Sequence, residues 1–252
     1  MPQSSIRRFI NDYFVAQTFL TRLPCPAGVD HSGEALGRST AWFPLVGTLV
    51  GLAAAAAMAV SLHFFEPLLS ATLCVMATVL LTGAFHEDGL ADSADGIGGG
   101  FSLERKLEIM RDSRIGTYGT VALLLGVLLR IFALAEIPAP LVFSALILAH
   151  SLARFSSLPL IYFNTYIREQ GTGKPFAAQV TPARLGAATI YCGLLWLLLP
   201  GTLWPALIIA FLATLGAQWY FRRKLGGITG DTLGATNQLV EASVYLALAA
   251  RI

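Results

Sequence analysis

Four acids fall within nine residues of this chain: Glu87, Asp88, Asp92 and Asp95, in the run His86-Glu-Asp-Gly-Leu-Ala-Asp-Ser-Ala-Asp-Gly-Ile-Gly-Gly-Gly100. No Lys or Arg occurs between Arg38 and Arg105 to neutralise them locally. On a helix, Asp88, Asp92 and Asp95 stand at i, i+4 and i+7 and share one face. Like charges at that spacing repel by about 0.2–0.5 kcal/mol per pair even when solvated. Oxygen-rich, acidic and adjacent to an apolar run, the cluster suits Mg²⁺, which binds through a few carboxylates and substrate phosphates. The plainer alternative is a solvated acidic helix end.

Other residues extend this chemistry. Gly98 and Gly99, in the run Gly96-Ile-Gly-Gly-Gly100, let backbone N–H groups approach phosphate oxygens; a turn after a helix is the competing reading. In Arg111-Asp-Ser-Arg-Ile-Gly-Thr-Tyr-Gly119, Asp112 is a further metal-ligand candidate and Arg114 a bidentate phosphate holder. Arg168 and Lys174 suit an anionic substrate, although Gly171-Thr-Gly-Lys174 lacks the spacing of a P-loop. Asp231, with Asn237 and Glu241 at i, i+4 on the following helix, reads either as a second metal half-site or as a helix cap plus a polar interhelical contact. His86 is a candidate base. Arg130, His150 and Arg154 lie inside apolar runs, where buried charge is rarely idle; Glu241 and Glu136 are the available partners for Arg130.

The elements that must position these residues are membrane helices. The chain has 252 residues, 55% hydrophobic and 13% charged, with a mean hydropathy of +0.66; soluble domains carry about 25% charged residues. Apolar residues concentrate in blocks at 41–62, 67–85, 117–135, 140–163, 185–199, 203–221 and 233–250. A spanning helix needs about 20 mostly apolar residues. Five blocks meet this; 185–199 is marginal, and 233–250 is weakened by Asn237, Gln238 and Glu241. No barrel alternation occurs. The expectation is an all-α polytopic transmembrane bundle of six or seven spans, forming a single domain. The segment Glu87 to Asp95 is expected to continue the second span, and Gly96 to Gly100 to break it. Ser102 is the expected N-cap of the next helix.

Every second connection is basic: Arg105, Lys106, Arg111 and Arg114, then Arg168, Lys174 and Arg184, then Arg222, Arg223 and Lys224. This positive-inside pattern puts the acids and the basic loops on the cytoplasmic face. The first residues do not read as a cleaved signal, because Asn11, Asp12 and Gln17 interrupt the apolar pattern. They read as an interfacial helix ended by Pro24 and Pro26. The three cysteines lack metal-type spacing.

The motifs Phe19-Leu-Thr-Arg-Leu-Pro24, Phe43-Pro-Leu-Val-Gly47, Phe85-His-Glu-Asp-Gly-Leu-Ala-Asp-Ser-Ala-Asp-Gly96, Arg111-Asp-Ser-Arg-Ile-Gly-Thr-Tyr-Gly119 and Gly226-Gly-Ile-Thr-Gly-Asp-Thr-Leu-Gly-Ala235 together resemble the adenosylcobinamide-GDP ribazoletransferases. The resemblance spans nearly the whole chain. It implies a Mg²⁺-dependent enzyme of the bacterial inner membrane, with its active site facing the cytoplasm. Such an enzyme joins adenosylcobinamide-GDP to α-ribazole or its 5′-phosphate and releases GMP. The carboxylates would hold the metal, and Asp95, Asp92 or His86 would handle the proton. Partners besides substrates and bilayer would be other late cobalamin-pathway enzymes or a second copy, not nucleic acid. A CDP-alcohol phosphotransferase is the nearest enzymatic alternative, but Asp88-Gly-Leu-Ala-Asp92 lacks the Ala-Arg pair of that motif. A cation transporter is the alternative of a different class, though transport sites usually lie at the midplane.

Overall fold

The computed structural model describes residues 5–168, 176 and 179–250. It is built of helices: α1 (Ser5–Leu20), α2 (Gly33–Ser39), α3 (Phe43–Ser61), α4 (Pro67–Thr82), α5 (Phe85–Gly99), α6 (Leu103–Ile109), α7 (Thr117–Glu136), α8 (Ala139–Phe163), α9 (Pro182–Leu197), α10 (Trp204–Leu225) and α11 (Gly230–Ala249). The all-α expectation holds. Among the described residues, extended pairing is limited to an isolated parallel bridge between Tyr166 and Ile228.

Among the described residues, four helical stretches are long and apolar enough to cross a bilayer: Gly33–Ser61, Thr117–Glu136, Ala139–Phe163 and Gly201–Leu225. A fifth is reached only if α4 and α5 count as one broken span. The six or seven expected from apolar blocks is therefore higher than length and composition support. α9 has 16 residues, short of the ~20 that span hydrocarbon. The final helix, α11, carries Asp231, Asn237, Gln238 and Glu241 and is the polar heart of the bundle.

The core forms where α8, α11, α3, α4 and α7 meet. Leu146, Ala149, Ala153, Val240 and Val244 are all buried there. α3 lies so close to α8 that a methyl group at Gly47 would stand 2.4 Å from the His150 carbonyl oxygen, the small-residue packing common in membranes. The exposed apolar side chains Leu124, Leu125, Phe132, Phe211 and Leu212 on α7 and α10 face what a soluble protein would have to cover. α1 is amphipathic as expected, with Ile6, Phe9 and Ile10 exposed, but it stops at Leu20, before the prolines.

Two features of α5 depart from the sequence expectation. It does not prolong α4: Gly83 (φ +67°) and Ala84 (φ +57°) both adopt the left-handed region, and the chain turns through 89°. Nor does the glycine run end it early. Gly96 to Gly99 remain helical, and Gly100 is the extended C-cap. The next helix, α6, starts as expected, with the Ser102 hydroxyl accepting from the Arg105 N–H.

Candidate active site

α5 presents its acids in two directions. Asp88 is exposed and Asp92 half-buried, one turn apart on the open face, whereas His86, Glu87 and Asp95 are buried. The open face lies against the start of α11. Thr229 caps that helix through a capping box with Thr232, so Asp231 is not the N-cap; its carboxylate stands in the first turn, where the helix dipole favours an anion, and meets Arg168. Asp88, Asp95 and Asp231 each act on the charge of Asp92, Asp88 acts on that of Asp231, and Arg168 is the cation that acts on both Asp92 and Asp231.

Gly89 and Gly234 make this convergence possible. A methyl group on Gly89 would lie 2.7 Å from the Asp231 carbonyl oxygen and 3.2 Å from the Gly234 Cα. Only hydrogen at Gly89 lets the α5 and α11 backbones approach so closely, and a methyl group at Gly234 would also be tight, 3.3 Å from the Gly89 Cα. Neither glycine was singled out from the sequence; the available signal was their placement next to Asp88 and three residues after Asp231.

Arg168 completes the face. Its Nη2 is 2.6 Å from Asp231 Oδ2, with both side chains largely enclosed at 9% and 18% exposure. The same Nη2 donates to the Met110 carbonyl at 3.2 Å, while the buried Nε has no hydrogen-bond partner. The segment carrying it is held by the Ile167 N–H donating to the Ile228 carbonyl, and the Ile228 N–H to the Thr165 carbonyl. Lys174 lies outside the described residues.

Other expected site residues are engaged elsewhere. Asp95 accepts the Gly116 N–H at 2.7 Å and the Gly119 N–H at 2.8 Å, one on each oxygen. It anchors the start of α7, and both of its oxygens are already engaged by backbone N–H groups. Glu87 turns inward to Arg130 at 3.0 Å. Arg130, 2% exposed, also meets Glu241 at 3.3 Å. Glu241 further pairs with Arg154 at 3.4 Å and His150 at 3.1 Å. Glu241 therefore serves an ion network joining α5, α7, α8 and α11, not a second metal half-site, and Asn237 donates to Ser157 Oγ and the Leu233 carbonyl. Of the two partners the sequence offered Arg130, Glu241 or Glu136, the structure brings Glu241; Glu87 was not among them, because only the tertiary fold turns α5 back along α7.

His86 is 2% exposed and lines a cavity of about 30 Å³ with Phe85, Ser157 and Asn237. Its Nδ1 and Asn237 Oδ1 lack partners, and the space suffices for one water. The imidazole thus faces the interior, which does not suit the base role expected for it. Asp112 and Arg114 pair with each other at 2.6 Å on the exposed surface. Arg114 hydrogen bonds pull the Asp112 carboxyl down to about 2. A methyl group on Gly98 would stand 2.6 Å from the Tyr118 ring, whereas one on Gly99 would lie 3.4 Å from Ile109, so close side-chain packing already accounts for the glycine at position 98.

The five-carboxylate metal set is thus not assembled: Asp88 and Asp92 remain on the open face, joined by Asp231. Among the described residues, no three His, Cys, Asp or Glu side chains are grouped so as to hold a metal ion. The chemistry of the remaining donors still fits a hard divalent cation: three carboxylates from two helices, with one guanidinium beside them.

The family model described as cobalamin-5-phosphate synthase (CobS) matches residues 12–249. A protein of Shewanella amazonensis named adenosylcobinamide-GDP ribazoletransferase is 44% identical over 254 residues, covering 97% of each chain. Proteins of the same name from Shewanella piezotolerans and Ralstonia nicotianae are 40% and 39% identical, covering 97% and 98% of this chain and 96% and 98% of theirs. No solved structure matches. A match over almost the whole chain, together with an acid face built from the motifs that carry the likeness, establishes that this protein belongs to the cobalamin-5-phosphate synthase family.

Proposed function

We propose that the protein transfers the cobinamide phosphate of adenosylcobinamide-GDP to α-ribazole, or to its 5′-phosphate, with release of GMP. Family membership and the names of the relatives support the substrates. The observation that carries the chemistry is the meeting of Asp88, Asp92 and Asp231 beside Arg168 at the junction of α5 and α11. Membership sets aside the CDP-alcohol phosphotransferase and transporter alternatives.

The donor set favours Mg²⁺, which when bound would neutralise the diphosphate and the departing GMP. Asp88, Asp92 and Asp231 would hold it. Arg168 restrains Asp231, and its guanidinium charge beside the acids would favour a phosphate there. Asp92, half-buried and not committed to backbone N–H groups, is the carboxylate placed to receive the ribazole hydroxyl proton. Asp95 keeps α5 docked on the start of α7 while this happens. The basic connections support placing this face in the cytoplasm, at the inner membrane of a bacterium.

The test is GMP release from adenosylcobinamide-GDP and α-ribazole by purified protein with Mg²⁺ varied. Asp88→Asn, Asp92→Asn and Asp231→Asn are each expected to abolish turnover while leaving the detergent-solubilised protein folded. Turnover indifferent to divalent ions would overturn the metal reading. No GMP release under any condition would overturn the reaction.

A further inference from the structure

On the flank formed by α8, α9 and α10 an apolar groove of about 460 Å³ opens, lined by Phe155, Phe163, Cys192, Gly193 and Phe211 among others. Its volume is within the range of about 300–1,000 Å³ typical of small-molecule sites. Through Leu215 and Gln218, which belong to both, the groove runs into a shallow depression lined by Trp219, Arg222 and Arg223. Both arginines are exposed, and among the described residues neither is in an ion pair with an acid. The Arg223 guanidinium lies 5.5 Å from the centre of the Trp219 ring.

Two of the helices lining the groove, α8 and α10, are among those long and apolar enough to span a bilayer. Their outer surface is therefore bathed in acyl chains. Trp and Arg side by side at the end of a span mark the headgroup level. An apolar slot ending in two unpaired guanidinium groups matches one molecule in charge and polarity along its whole length, an anionic phospholipid. We infer that this groove binds such a lipid, with an acyl chain between α8, α9 and α10 and the headgroup phosphate on Arg222 and Arg223. The site does not depend on the reaction proposed above. It lies at the end of the helix that leads into Asp231.

The experiment reconstitutes the full chain in nanodiscs of phosphatidylcholine doped with phosphatidylglycerol, exchanges it into mild detergent and counts retained lipid by native mass spectrometry. The wild type is expected to keep phosphatidylglycerol in preference to phosphatidylcholine. The double variant Arg222→Ala, Arg223→Ala should lose about thirtyfold of that preference, the worth of two basic side chains at an anionic surface. Gly193→Leu should abolish retention of both lipids by filling the slot; a Cβ there meets nothing within 4 Å, so the helix accommodates it. Equal retention of both lipids by the wild type, or a preference untouched by either variant, would overturn the site. A dimer of the wild type that Gly193→Leu dissociates would overturn it too, by showing a second copy in the groove.

Discussion

The close approach of α5 to α11 makes Gly89→Ala a sharp test of how the acid face is built. The added methyl would stand 2.7 Å from the Asp231 carbonyl oxygen, about 0.7 Å inside the 3.4 Å at which ordinary contact begins. The obstacle is backbone on a helix that is itself buried, so α11 must move rather than a flexible side chain. Overpacking of this kind costs about 1–3 kcal/mol. Against it stands about 1 kcal/mol gained because alanine is the better helix former. The net loss of stability is therefore small, about 0–2 kcal/mol. The effect on turnover is not small. A displacement approaching 1 Å in a reacting constellation can cost about a hundredfold, and here it separates Asp231 from Asp88 and Asp92. GMP release should fall by about 10- to 100-fold, while thermal unfolding in detergent shifts little. Gly216→Ala on α10, where a Cβ meets nothing within 4 Å, is the control and should leave turnover unchanged. If Gly89→Ala turns over like wild type, the α5–α11 spacing does not set the site and the geometric argument fails.

Arg130→Met removes the ion-pair partner of Glu87 and one of those of Glu241 and should cost about 3–5 kcal/mol, the penalty for an uncompensated buried charge. Adding Glu87→Gln restores neutrality and should recover most of that loss in thermal unfolding; strict additivity of the two would argue against the ion network. Asp95→Asn puts an amide against one of two backbone N–H groups and should cost about 1–3 kcal/mol, without altering the Mg²⁺ concentration needed for half-maximal turnover. A shifted Mg²⁺ requirement would return Asp95 to the metal set. Asp112→Ala and Arg114→Ala remove an exposed pair and should leave both unfolding and turnover unchanged; lost turnover would show that this pair contacts substrate.

The helical class, the membrane setting and the importance of the acid run were legible from local features. Blocks of apolar residues can be satisfied in a bilayer only as helices, and acids beside such blocks are costly enough to need a purpose. Asp88, Asp92, Arg168 and Asp231 were all named from residue type and placement. Spacing alone could not divide the acids among roles. On a helix Asp88, Asp92 and Asp95 look equivalent, yet Asp95 meets two backbone N–H groups of a chain turn more than twenty residues away. Glu87, adjacent to Asp88, faces the opposite way into Arg130. The 89° turn after α4 was equally hidden, since Ala84 in the left-handed region is a conformation that local sequence disfavours. Residue order alone required helices in a membrane and carboxylates gathered at one end of them. Which carboxylates are consumed in holding helices together and which stay open was settled by the fold, because that depends on the donors each one meets across long stretches of chain.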